Sequence, residues 1–167
     1  MGILGNNGAN AVDRNIGGAL VYRTADQSLT SGVNTILTWP IGSATEVYDD
    51  GGFYNPGTNN DRFTIPTGYD GKYIVSVSTE YTSQGTGGKV LILWHHVSGD
   101  TPGVNAKVRK NTSHTGTSQD LTLTGVFDMA AGDFIVAGFF HNTGGGFNLL
   151  ANGGTNRPVE FAIEKLR

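Results

Sequence analysis

The stretch Leu121-Thr122-Leu123-Thr124-Gly125-Val126-Phe127-Asp128-Met129-Ala130-Ala131-Gly132-Asp133-Phe134 decides the class of fold. From Leu121 to Met129 apolar and polar residues alternate, and a period of two places each set on its own side of a β-strand. Gly132-Asp133 supplies turn chemistry, because glycine admits backbone dihedrals that other residues resist. A second strand then runs from Phe134 to His141, and the closing Pro158-Val159-Glu160-Phe161-Ala162-Ile163-Glu164-Lys165-Leu166-Arg167 holds a last one, Val159 to Leu166.

Working back towards the N-terminus, Tyr73, Val75, Val77, Thr79 and Tyr81 alternate with Ile74, Ser76, Ser78 and Glu80, the pattern of a half-buried strand. Lys89 to Val97 is more continuously apolar and reads as a central strand. Ala19 to Thr24, Val33 to Trp39 (stopped by Pro40), Arg62 to Pro66 and Val104 to Lys110 complete the set. Tyr48 to Pro56 reads as turn chemistry around two aromatic anchors. About ten short strands with Gly and Pro punctuation and no helical period predict one antiparallel β-sandwich domain over residues 19–167. The 26 glycines and the 15% charged content suit short strands joined by turns.

Composition narrows the function. A formal net charge of −3 argues against nucleic acid, whose binders cluster Lys and Arg against phosphate. Only Lys107, Arg109 and Lys110 form a close basic group. The chain has no Cys, hence no disulfide framework and no thiolate metal site. Its longest apolar run, Val90 to Trp94, is far below the ~20 residues that cross a bilayer, so membrane insertion is not expected. Residues 1–18, rich in Gly, Asn and Ala and without the look of a signal peptide, read as a flexible arm that orders on a partner. Ile3, Leu4, Asn10 and Arg14 are its candidate docking residues.

The order of motifs resembles the tumour-necrosis-factor and complement globular-head superfamily of jelly-roll domains. Phe63-Thr64-Ile65-Pro66, followed by Gly71-Lys72-Tyr73, is similar to its Phe-x-x-Pro strand and the Gly-x-Tyr that opens a long strand. Gly52-Phe53-Tyr54, Gly125-Val126-Phe127, Gly132-Asp133 and the strand Phe161 to Leu166 resemble its later signatures. The resemblance implies a TNF-like jelly roll that acts as a homotrimer by surface binding, without catalysis. It implies a last strand held between two neighbours. It also places Ile74, Ser76, Thr122, Thr124, Glu160 and Ala162 near the three-fold axis. Burying an unpaired charge costs several kcal/mol, so carboxylates such as Glu160 and Glu164 there must be paired or left wet.

Other candidates are weaker. His95 and His96 are neighbours on a strand and point to opposite faces, which suggests one packed and one solvated histidine. His114 falls in a polar loop, Asn111 to Gln119. No cofactor is implied, although Asp49, Asp50 and Asp61 are candidate oxygen ligands for calcium; acids in turns more often cap the backbone. Tyr54, Trp94 and Phe147 are candidate exposed rings. Tyr54 with Asn142, Phe147 and Asn148 would make a ligand loop, rings stacking on sugar and amides bonding hydroxyls; core packing is the commoner fate of such rings. No nucleophile elbow or His-Glu-x-x-His is present.

These readings converge on a viral structural protein: a trimeric decoration or cement protein, made in the host cytoplasm and attached to a phage particle through its arm. A tip that binds host receptor or glycan, and a bacterial complement-head-like module, are the alternatives.

Overall fold

The computed structural model describes residues 16–81, 87–104, 106, 108–115, 120–151 and 159–166. The described residues form strands and no helix: β1 (Gly18–Arg23), β2 (Gln27–Leu29), β3 (Thr35–Ile36), β4 (Ala44–Asp50), β5 (Tyr54–Asn55), β6 (Asn59–Thr64), β7 (Gly71–Glu80), β8 (Gly88–His96), β9 (Val108–Thr115), β10 (Asp120–Met129), β11 (Phe134–His141), β12 (Phe147–Leu149) and β13 (Glu160–Lys165). One sheet has the order β10-β7-β13-β1-β4. The facing sheet has the order β5-β6-β11-β8-β9, with β3 added on β11, and β12-β2 form a small third sheet. All paired strands are antiparallel. The last strand, β13, sits between β7 and β1, as the resemblance implies.

Alternation along the strands builds the core. Tyr73, Val75 and Val77 of β7, Phe127 and Met129 of β10, and Phe161 and Ile163 of β13 face inward against Leu91, Leu93, Ile135, Ala137 and Phe139 of the other sheet. Phe161 is stacked between Trp39 and Phe63, with ring centroids 4.9 and 4.4 Å away. The continuous apolar run in β8 has a different cause. Its outward side chains, Ile92 and Trp94, join Phe134 and Val136 of β11 in a second cluster covered by Ile36 and Ala106. Gly138 is required there, since a Cβ at that position would overlap the Trp94 ring.

Several expectations are corrected. Val33–Trp39 keeps only β3 as a strand, because its backbone passes from one partner to another: Leu37 N–H donates to the Ala137 carbonyl, while Trp39 N–H donates to that of Asn60. Tyr48 belongs to strand β4 and not to a turn. The strand expected over Val104–Lys110 lies later, in β9, which also takes His114 out of its expected loop and pairs it with Lys89. β1 begins at Gly18, one residue before the expected boundary, and β2 and β12 were not anticipated. The arm residues Ile3, Leu4, Asn10 and Arg14 lie outside the described residues, as does Lys107.

Candidate functional site

Strand register assembles one outward face on the five-stranded sheet. Thr122, Ser78, Glu160 and Tyr22 form a row across β10, β7, β13 and β1. Thr124, Ser76, Ala162, Leu20 and Tyr48 form the next, and Val126, Ile74, Glu164 and Gly18 the third. All six residues expected near a shared axis therefore lie together on this face. Ser76, Glu160 and Ala162 are half-buried, whereas Thr122 and Thr124 are exposed. Ile74 and Val126, side by side, are 38% and 48% exposed, and they make the third row apolar at its β10–β7 end.

The carboxylate problem has a local answer at Glu164. Gly18 lies opposite it on β1, and any Cβ there would meet both the Glu164 carboxylate and the Ile163 carbonyl. The missing side chain lets Glu164 cross β1 and accept a hydrogen bond from the Tyr48 hydroxyl on β4. Burial and then the Glu164 carboxylate push the Tyr48 phenol well above its ordinary value, so it remains a donor throughout the working pH range. Sequence reasoning missed Tyr48 and Gly18 because β4 was read as a turn. Leu20, Tyr22, Ser78 and Val126 could have been found from their strand parity with residues already named.

The remaining candidates do not form a second site. His95 and His96 do point to opposite faces, but both are fully buried, which corrects the solvated role expected of one of them. His95 Nε2 lies 3.0 Å from Asp133 Oδ2, and its ring packs edge-on to Phe127 inside the sandwich. Its Nδ1 is buried and finds no partner among the described residues. An imidazole closed in this way cannot meet a substrate. Burial works to raise the Asp133 carboxyl, yet hydrogen bonds from Ala130 N–H, His95 and Ser98 N–H together hold it below the ordinary carboxylate value. On the other face His96 is stacked on Phe134 at 4.9 Å and accepts the Gly103 N–H at Nε2.

The three acids proposed for calcium are each otherwise engaged or apart. Asp49 accepts the backbone N–H groups of Gly52, Phe53 and Tyr54 at 2.8 to 3.0 Å, which makes it a turn cap. Asp61 pairs with Arg62 at 2.7 Å, and Asp50 is exposed on the neighbouring sheet. Among the described residues no group of three or more His, Asp or Glu side chains converges to hold a metal.

The ligand-loop expectation is corrected in its aromatic part. Tyr54 is buried and its hydroxyl donates to the Trp39 carbonyl; Trp94 is 4% exposed within the second cluster, and Phe147 is 2% exposed in the core of the sandwich. Neither Tyr54 nor Phe147 offers a free face to a sugar. Asn142 is exposed, and Asn148 accepts a hydrogen bond from Ser28 on β2.

No protein-family model matches the chain. No curated protein matches it either. Solved structures do. Murine APRIL at pH 5.0 superposes with a TM-score of 0.59 at 14% identity, covering 90% of this chain and 99% of APRIL. Eiger TNF from S. frugiperda gives 0.56 at 13%, covering 92% and 94%. The globular domain of zebrafish complement 1qA gives 0.52 at 14%, covering 89% and 93%. With sheets ordered as above and this likeness along nine-tenths of its length, the chain has the jelly-roll fold of the tumour-necrosis-factor and complement globular-head domains.

Proposed function

We propose that this protein is a self-associating structural module: a homotrimer that decorates a phage particle and docks through the segment preceding β1. The observation that carries the reading is the outward face of the five-stranded sheet. Its middle row runs from Thr124 through Ser76, Ala162 and Leu20 to Tyr48 on β4, and the first four are small or apolar groups that a second protomer can approach closely. One of its two central carboxylates, Glu164, already has a partner in Tyr48 and needs less compensation on burial. A contact between unlike patches of identical copies closes into a ring when its rotation permits. The docking segment enters at an end of the same sheet, where Lys165 N–H donates to the Gly17 carbonyl at 2.9 Å. Three such segments on one ring would multiply weak attachments.

Sedimentation of the full chain tests the assembly. Three protomers are expected, falling to one in Ala162→Arg or Thr124→Arg with an unchanged circular-dichroism spectrum. Removal of residues 1–15 should leave the trimer intact and abolish attachment to phage particles. A single wild-type protomer at micromolar concentration, or full attachment after that deletion, would overturn the reading.

A further inference from the structure

At the end of the sandwich remote from the Gly132-Asp133 turn, two basic groups are buried side by side. The β8–β11 register sets Lys89 opposite His141, and they are 1% and 0% exposed. His141 also holds the small β2–β12 sheet to the body of the domain. Its ring stacks on Phe147 of β12 at 4.4 Å, and its Nε2 lies 3.4 Å from the Leu29 carbonyl of β2. Its Nδ1 lies 3.0 Å from Thr143 Oγ1. A carbonyl only accepts, so Nε2 carries the hydrogen, and in the neutral ring Nδ1 accepts from the threonine hydroxyl. Phe147 packs in turn on Tyr81 and Phe139, at 4.9 and 5.3 Å.

Charged and titratable groups reach this ring from several elements, and the half-buried His114 of β9 lies opposite Lys89 in the same register row. Lys89 approaches from β8, its ammonium donating to the Gly87 carbonyl at 3.2 Å and lying 5.8 Å from the Tyr81 ring centroid. Tyr81 approaches from the end of β7; burial, then the nearby Asp120 of β10, push its phenol up to about 12. β2 and β12 bring no charge, being Gln27-Ser28-Leu29 and Phe147-Asn148-Leu149. Residues 82–86 and 116–119 contain no charged side chain, and residues 152–158, which follow β12 in the chain, contain one, Arg157.

We propose that this end of the domain is an acid-released latch: a proton taken up by His141 beside the Lys89 ammonium opens the β2–β12 pair and uncovers Phe147. Burial first, and Lys89 in addition, hold the His141 imidazole below its ordinary 6.5, against the Leu29 carbonyl, which favours the charged form. The closed state therefore binds the proton less readily than the open one. Closure is strongest above pH 6.5 and weakens as pH falls from there towards the closed-state value. Within that window each unit should favour opening about tenfold. The latch residues Lys89, His141, Thr143 and Phe147 lie off the face proposed for assembly.

Amide hydrogen exchange on the full chain between pH 7.5 and 5, corrected for intrinsic rates, is the test. Expected is an opening equilibrium for β2 and β12 that rises about tenfold per unit below the ordinary histidine value, with β7 and β13 still protected. His141→Gln should remove the pH dependence. Lys89→Met should reduce its extent, and serves alone if the glutamine variant does not fold. Flat protection of β2 and β12 across the range, an undiminished pH dependence in His141→Gln, an equally wide pH-dependent range in Lys89→Met, or simultaneous loss in β7 would overturn the proposal.

Discussion

Replacing Asp133 with alanine should destabilise the domain by about 3–5 kcal/mol, because one carboxylate holds three donors in place. Its Oδ2 accepts from His95 Nε2 at 3.0 Å and Ala130 N–H at 3.1 Å, and Oδ1 from Ser98 N–H at 3.3 Å. The histidine bond dominates, for His95 is fully buried and would keep a donor with nothing to receive it, a loss of about 1.5–3 kcal/mol. Ala130 and Ser98 are exposed, so water can partly replace the carboxylate, and each contributes nearer ~1 kcal/mol. Asp133→Asn keeps one acceptor oxygen for the first two bonds and should cost about half as much as alanine. The folded state holds this carboxyl below its ordinary 3.8, so the ionised form contributes stability above 3.8 and loses it as pH falls through the folded value. Urea unfolding followed by tryptophan fluorescence should show a constant gap between wild type and the asparagine variant from pH 7 down to about 4, closing below that. An alanine variant within 1 kcal/mol of wild type, or a gap that persists in acid, would show that the carboxylate does not organise the turn (the 1 kcal/mol margin being roughly one ordinary hydrogen bond).

Phe161→Ala should cost about 3–5 kcal/mol in the same assay, since it empties the centre of the Trp39–Phe161–Phe63 stack. Gly138→Ala forces the Trp94 indole aside and should cost about 1–3 kcal/mol while altering the near-ultraviolet circular dichroism; an unchanged spectrum and midpoint would contradict the close approach. Burial lowers His96 below its ordinary 6.5 despite the opposing pull of Asp100, so the folded state resists its protonation. Urea midpoints should therefore fall as pH drops below 6.5, and less steeply in His96→Gln, where equal slopes would remove His96 as a cause.

Alternation was strong enough to read β7, β10 and β13 almost to the residue, because one face of each is buried and the other more open; β11, buried on both faces, was legible as an apolar run after the Gly132-Asp133 turn. It failed at β4, whose Ala44-Thr45-Glu46-Val47-Tyr48-Asp49-Asp50 lies at a sheet edge with little buried to mark it. It failed also at β2 and β12, each three residues long, where pairing depends on Phe147 finding the ring of His141. The six face residues were named from resemblance and strand parity, while Tyr48 and Gly18 depend on a contact between β13 and β4 across an intervening strand.

Period-two patterning, glycine-rich turns and the absence of cysteine were enough to specify an antiparallel sandwich without disulfides, since strand burial and turn dihedrals are local consequences of residue type. Which aromatics are core and which are free was decided only in three dimensions. Tyr54, Trp94 and Phe147 carry the same local signals as exposed rings, and partners distant in sequence bury them. The same holds for charge: whether a glutamate on the outward face is bare or paired depends on a tyrosine 116 residues away in the chain.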